Sequence, residues 1–219
     1  MSALNVEQAR FNMIEQQIRP WEVLDQRVLD VLSGTPREDF VPSRYRNLAF
    51  ADVPIPLGHG QMMMHPNLEG RLLQALNPRP DDSILEIGTG SGYLCACLAK
   101  LGARVTSVEI FTDFTDAARQ RLDDHGLAEV RLENGDAAKG WGEQHYDVIA
   151  LTASLPHLTP PWHEQLNLGG RLFVVVGEAP IMEALLITRT GEQEWLRQSL
   201  FDTQLPPMIT GSPKKIFEF

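Results

Sequence analysis

The residues best suited to chemistry form one short run, Glu86-Ile87-Gly88-Thr89-Gly90-Ser91-Gly92. Three glycines alternate with small polar residues behind a carboxylate. Glycine permits a tight turn and lets a ligand come close to backbone that a Cβ would shield. The run follows an apolar strand-like segment, SILEIG (83–88), and opens into YLCACLAKLG, which reads as a helix. The first turn of such a helix offers unpaired backbone N–H groups. A dinucleotide fingerprint, G-x-G-x-x-G, needs glycine at 93 or 95, where Tyr93 and Cys95 stand. Glu86 would also repel a pyrophosphate. The turn suits a ligand that carries positive charge.

Two more acids stand in register with it. Glu109 closes ARVTSVEI (103–110), and Asp136 follows EVRLEN (129–134) in the run Asn134-Gly135-Asp136. A carboxylate after the second strand of a nucleotide site accepts ribose hydroxyls. The carboxyl ends of neighbouring parallel strands open into one crevice. Glu86, Glu109 and Asp136 are therefore expected to converge. The ligand they describe has a ribose, a base with an exocyclic amine and a cationic part, and lacks a phosphate. S-adenosylmethionine has all of these features. His59 and His65 flank Met62-Met63-Met64; isolated histidines of this kind are more often surface or packing groups than ligands.

These residues need a scaffold, and the hydrophobic pattern supplies one. Residues 5–33 read as two helices. The first is capped by Asn5 with Gln8 and buries Val6, Ala9, Met13 and Ile14, ending at Arg19-Pro20. The second is capped by Asp25 and stops at Gly34. The stretch 35–66 carries Pro36, Pro42, Pro54, Pro56, Gly58, Gly60 and Pro66 without periodicity, yet has enough apolar residues to pack. From residue 67 strands alternate with helices: a helix over 67–76, strands at 83–88, 103–110, 129–134 and 146–152, a Pro-started helix PPWHEQLNLGG, and a strand at 171–177. This alternation predicts a mostly parallel sheet covered on both faces. ALLITRT, a turn at Gly191-Glu192 and QEWLRQSLFDT read as an antiparallel hairpin on its edge, and KKIFEF as a further short edge strand. Residues 1–66 are expected to be a cap that does not fold independently, and 67–219 the ligand-binding domain.

Composition narrows the partners. With 29 acidic against 19 basic residues and a net charge of −10, the chain is ill suited to nucleic-acid backbones or anionic membranes. Cys95 and Cys97 stand on opposite sides of a helix, which disfavours a disulfide or a shared metal. No apolar run is long enough to span a bilayer, and the opening MSALNVEQARFN lacks the apolar core of a signal peptide. The cytoplasm is the expected location.

At this point the residues resemble a known family. EIGTGSGY, SVEI, NGDAAKGW and QLNLGGRLFVVVG look like class I S-adenosylmethionine-dependent methyltransferases. PREDFVP (36–42) and AFADVPIPLGHGQMMMHP (49–66) are similar to the N-terminal motifs of protein-L-isoaspartate O-methyltransferases, and the likeness covers about residues 10–178. It implies a Rossmann-like fold with a seven-stranded, mostly parallel sheet, and carboxyl methylation of L-isoaspartyl residues in damaged proteins. By position it implies that Glu86, Gly88, Gly90 and Gly92 wrap the methionine part of the cofactor. Glu109 would hold the ribose, and Asp136 with Ala137 would flank the adenine. Asp52, Gly60, Gln61 and Met62 fall on the acceptor-side loop. Met64 stands where the family has a serine beside the reacting centre. The methionines also suit a same-fold methyltransferase with a more apolar acceptor, and a non-catalytic S-adenosylmethionine-binding protein would share the cofactor residues.

Overall fold

A computed structural model describes residues 5–102 and 104–210. Helix α1 (Val6–Met13) starts where the Asn5 side chain accepts the Gln8 N–H at 3.1 Å. The Gln8 side chain turns to Asn12 instead of back to Asn5, so only half of the expected capping box forms. The chain continues through a wide turn, Ile14–Ile18, and a tight one, Arg19–Trp21, that contains Pro20. Helix α2 (Gln26–Gly34) is capped by Asp25, which accepts the Arg27 N–H at 2.9 Å.

The proline- and glycine-rich stretch is ordered. It forms a one-turn helix α3 (Arg37–Phe40), a 3-10 turn (Ser43–Leu48) and an antiparallel hairpin of β1 (Ile55–Gly58) and β2 (Gln61–Met63). Its apolar residues Phe40, Phe50, Ile55 and Met63 all enter the core.

The remainder is the expected alternation: α4 (Pro66–Leu76), β3 (Ser83–Ile87), α5 (Tyr93–Lys100), β4 (Arg104–Glu109), α6 (Thr112–Asp124), β5 (Arg131–Asn134), β6 (Tyr146–Leu155), α7 (Pro160–Glu164), β7 (Leu166–Glu178), β8 (Ile181–Gly191) and β9 (Glu194–Asp202). The sheet order is β5-β4-β3-β6-β7-β8-β9. Strands β3 to β7 are parallel, and the β8–β9 hairpin adds antiparallel to β7, with Trp195 opposite Arg189. The expected edge strand KKIFEF lies outside the described residues. Among the described residues no helix is long and apolar enough to cross a membrane.

One expectation fails. PPWHEQLNLGG is helical only to Glu164, and from Leu166 the chain is already strand. The Tyr146 N–H bonds to Gln165 O, so β6 captures the segment early. A Cβ at Gly170 would lie 2.8 Å from Asn167 O and 3.0 Å from Tyr146 O, so glycine admits this close approach. That face of the sheet is covered by Trp162 and by the segment holding Ala137 and Trp141 instead of by a long helix.

Strand alternation sends Ile84, Val148 and Phe173 to one face and Leu85, Ile149 and Leu172 to the other. On the first face they share one core with Met13 and Ile18, Leu29 and Leu32 of α2, and Leu72 and Leu73 of α4. Within this core lies Arg37, with no solvent exposure. Its Nε donates to Ala49 O at 2.8 Å, its Nη2 to Met64 O at 2.7 Å, and its Nη1 to the Glu69 carboxylate. The guanidinium also packs on the Tyr93 ring, 4.9 Å from its centroid.

Removing one partner of such a pair strands the other charge without water. Arg37→Ala should lower the unfolding free energy by about 3–5 kcal/mol in a urea titration. Replacing both partners with apolar residues, Arg37→Met with Glu69→Leu, should recover most of that loss. Equal losses in the single and double variants would refute the pairing argument.

Candidate active site

The glycine run bridges β3 and α5 at the carboxyl edge of the sheet. Gly88, Gly90 and Gly92 take φ of 95°, 53° and 84°, values that L side chains rarely adopt. The first is also closed off by contact. A Cβ on Gly88 would sit 2.2 Å from Thr152 Oγ1, whose hydroxyl donates to Ile87 O at 2.9 Å and Gly88 O at 2.8 Å. A cleft opens in front of this turn. Glu86, Gly88, Gly90 and Glu109 line it from the sheet, with Phe111 and Phe114 beyond Glu109 and Ala137 beyond β5. Leu57, Gln61, Met62, Met63 and Met64 line it from the hairpin side, together with Glu69 of α4.

The cleft is lined by buried carboxyls. Glu86 has no solvent exposure. Ser107 Oγ donates to its Oε2, and the Thr89 hydroxyl lies 2.6 Å from that of Ser107. The other carboxyl oxygen, Oε1, is buried without a partner. Burial raises this carboxyl to about 8, against hydrogen bonds from Ser107 and Cys95, and the charge of Glu109 adds to the rise. Glu109 accepts Gly90 N–H at 2.9 Å on one oxygen and Ile110 and Phe111 N–H at 2.9 and 3.1 Å on the other. Burial raises its carboxyl too, while these three backbone donors hold it down. In Glu69 burial outweighs the pull of Arg37 and lifts the carboxyl to about 7.

These residues fit S-adenosylmethionine. A buried carboxyl with an unpartnered oxygen and no cation among its partners suits an ammonium or sulfonium ligand. Glu109 has lone pairs left for hydroxyl donors, since a carboxylate offers about four acceptor sites. The glycine turn leaves its backbone bare toward the cleft.

The structure brings together Gln61, Met62, Met64, Glu86, Gly88, Gly90, Glu109 and Ala137 of the residues singled out in the sequence. Four others stand beside the cleft lining. Asp52 is half-exposed and accepts His65 Nδ1–H at 3.0 Å and the Asn67 amide at 3.1 Å, bracing the start of α4. Gly60 makes the hairpin turn with φ 71°. Gly92 leads into α5, where a Cβ would meet that of Ala118 at 3.1 Å. Asp136 accepts Ala138 N–H at 2.9 Å, while its neighbours Gly135 and Ala137 face the cleft.

Sequence reasoning did not single out Glu69, Thr152, Met208 or Ile209, all of which line the cleft. Thr152 ends the predicted fourth strand, where a strand-end polar residue beside a glycine turn is a usable signal. Met208 and Ile209 arrive because the chain folds back onto β6 after β9. Ser154 N–H bonds Pro206 O, Met208 N–H bonds Ser154 O, and Ser154 Oγ donates to Leu205 O.

A sequence profile described as protein-L-isoaspartate(D-aspartate) O-methyltransferase matches residues 8–208. Protein-L-isoaspartate O-methyltransferase 1 of Rhodopseudomonas palustris strain HaA2 is 37% identical, over 91% of this chain and 82% of that protein. The Gloeobacter violaceus protein-L-isoaspartate O-methyltransferase is 35% identical, over 93% of this chain and 100% of its own. Among solved structures, one from Plasmodium falciparum, a protein-L-isoaspartate O-methyltransferase in complex with S-adenosyl-L-homocysteine, superposes with a TM-score of 0.79. It is 18% identical and covers 95% of this chain and 100% of its own, a likeness of fold.

The state of Glu86 has a thermodynamic consequence. Its folded value, about 8, lies above the ordinary 4.5, so between these values the folded chain holds a proton that the unfolded chain releases. Stability of the ligand-free protein should therefore fall as pH rises through this window, by up to about 1.4 kcal/mol per pH unit for this group. Glu69 adds a decline of the same sign up to about 7. Urea titrations across the window should show a shallower slope in Glu86→Gln, and an unchanged slope would mean that Glu86 is ionised in the free protein.

Proposed function

The chain belongs to the protein-L-isoaspartate(D-aspartate) O-methyltransferase family, and on that premise we propose that its cleft is where an isoaspartyl carboxylate meets S-adenosylmethionine. The protein is an S-adenosylmethionine-dependent methyltransferase that esterifies L-isoaspartyl residues of damaged proteins. The observation that carries this reading is the continuity of the cleft. Glu86, Gly88, Gly90 and Glu109 line one side and Gln61, Met62 and Met64 the other.

S-adenosylmethionine supplies an electrophilic methyl group on a sulfonium. The acceptor carboxylate is already ionised at neutral pH and needs no general base. What remains for the chain is to orient the reactants and exclude water, which can lower a barrier by roughly 7–11 kcal/mol. In this reading Glu86 faces the cationic methionine part, with Gly88, Gly90 and Gly92 shaping the turn around it. Glu109 accepts the ribose hydroxyls, and Ala137 with Asp136 flanks the adenine. Gln61, Met62 and Met64 face the acceptor, held in place by Asp52 and by the Gly60 turn. Residues 1–66 then form the acceptor-side cap and 67–219 the cofactor-binding part. Esterification replaces a poor leaving group with methoxide, so attack by the backbone nitrogen on the ester carbonyl closes a succinimide and releases methanol. We place the enzyme in the cytoplasm, where a reducing environment suits the two buried free thiols, Cys95 and Cys97.

The test is methyl transfer from labelled cofactor to an isoaspartyl peptide, with the normal aspartyl peptide as control. Ester formed on the first alone supports the reading; tight cofactor binding with no ester on either excludes isoaspartyl as the acceptor. Glu109→Ala should weaken cofactor binding in calorimetry by about ten-fold or more, since hydrogen bonds to a charged acceptor contribute about 1.5–3 kcal/mol each. Wild-type affinity in that variant would remove Glu109 from the ribose site.

Met64 gives a sharper test. Its side chain lines the cleft at the family's serine position and cannot donate a hydrogen bond. Met64→Ser should raise kcat/KM on an isoaspartyl peptide by about ten-fold, the equivalent of about 1.4 kcal/mol in the transition state. An unchanged rate would show that another group orients the carboxylate.

A further inference from the structure

The β1–β2 hairpin stands apart from the main sheet and forms one wall of the cofactor cleft. Its turn, Gly58-His59-Gly60, has positive φ at all three residues, including 49° at His59. A histidine in that backbone conformation is uncommon, and its ring makes a specific set of contacts. It lies flat on Phe111, with centroids 4.1 Å apart and planes 5° from parallel, and meets the edge of Phe114 at 5.3 Å. Its Nε2–H donates to both carboxylate oxygens of Asp113, at 3.0 and 3.1 Å. Phe111, Asp113 and Phe114 belong to the segment directly after Glu109, and the Phe111 N–H is itself bonded to the Glu109 carboxylate. Close by, a Cβ on Gly90 would meet Leu57 Cδ1 at 3.2 Å, so β1 rests on the glycine turn.

The hairpin tip is thus fastened to the opposite side of the cleft, at the segment that follows Glu109. We propose that His59 and Asp113 are positioning residues that latch the hairpin over the bound cofactor, so that release of the demethylated product requires this contact to break. The inference rests on the cofactor reading of the cleft given above. Neither residue lines the cleft, and neither takes part in methyl transfer. Both side chains are partly exposed, 40% for His59 and 65% for Asp113. Exposed pairs of this kind are weak, which suits a contact that must open in every turnover. The stack on Phe111 gives it a fixed geometry.

The test is the dissociation rate of S-adenosylhomocysteine, followed by stopped-flow displacement from His59→Phe, Asp113→Ala, the double variant and Asp113→Asn. His59→Phe keeps a ring on Phe111 but removes the donor. Each of the first two should speed release by about two- to five-fold. The double variant should be no faster than either single one, because both remove the same contact. Asp113→Asn keeps an acceptor oxygen and should restore slow release. A purely structural role would lower the thermal stability of these variants while leaving the release rate unchanged. Tight wild-type binding with release unmoved in the variants, or with additive effects, overturns the latch alone. Absence of wild-type binding overturns the cofactor reading and the latch together.

Discussion

The guanidinium of Arg37, closed off from solvent, joins four parts of the chain that otherwise have little reason to meet. It donates to Ala49 O before the hairpin, to Met64 O after it and to Glu69 in α4, and it packs on Tyr93 at the start of α5. Hairpin, cap and glycine turn are thereby held in one frame. Arginine suits this place because its planar fork presents several donors in fixed directions, which a lysine ammonium cannot. Burying an ion pair gives little net stability, since desolvation offsets most of the attraction. Its value here is positional: it sets where Met62 and Met64 stand relative to the glycine turn.

The cleft so framed is lined by three buried carboxyls, Glu69, Glu86 and Glu109, of which, among the described residues, only Glu69 has a cationic partner. Glu109 is balanced by three backbone N–H donors. Glu86 has the hydroxyl of Ser107 on one oxygen and the Cys95 thiol nearby, and its Oε1 has no hydrogen-bond partner among the described residues. A site arranged in this way has its electrostatic complement in the ligand. That accounts for the raised Glu86 carboxyl, and for a fit to a sulfonium compound over a pyrophosphate one.

The parallel sheet explains why these groups converge. Side chains at the carboxyl ends of β3, β4 and β5 open toward one edge, and the turns that follow carry Gly88, Ile110 and Gly135. The rest of the cleft lining has a different origin. It comes from the hairpin of the cap and from Met208 and Ile209, which return after β9 through the Ser154 bonds. The parallel sheet thus supplies one part of the cleft, and segments from both flanks of the sequence supply the other.

The strands of the main sheet, the glycine turn, the acids Glu86 and Glu109 and the C-terminal hairpin were all legible in the sequence, while the β1–β2 hairpin was not. Each of the legible features is encoded locally, by periodicity, by turn chemistry, or by a residue at a strand end. The early end of α7 was not legible, because pairing of Leu166 with Tyr146 overrode a helical composition. The Arg37–Glu69 pair, the return of Met208 to the cleft and the stack of His59 on Phe111 were hidden for the same reason. Each joins residues far apart in the chain, and no spacing pattern marks such a pair before the core has brought its members together. Asp52 and Asp136 were picked out by type and position, and the structure adds contacts that no motif marks: Asp52 accepts from His65 and Asn67, and Asp136 from Ala138 N–H. The sequence by itself determined the fold and the cofactor, since both rest on short-range backbone demands. The tertiary structure alone decided which residues of the cap line the cleft, because that depends on contacts between the cap and the sheet.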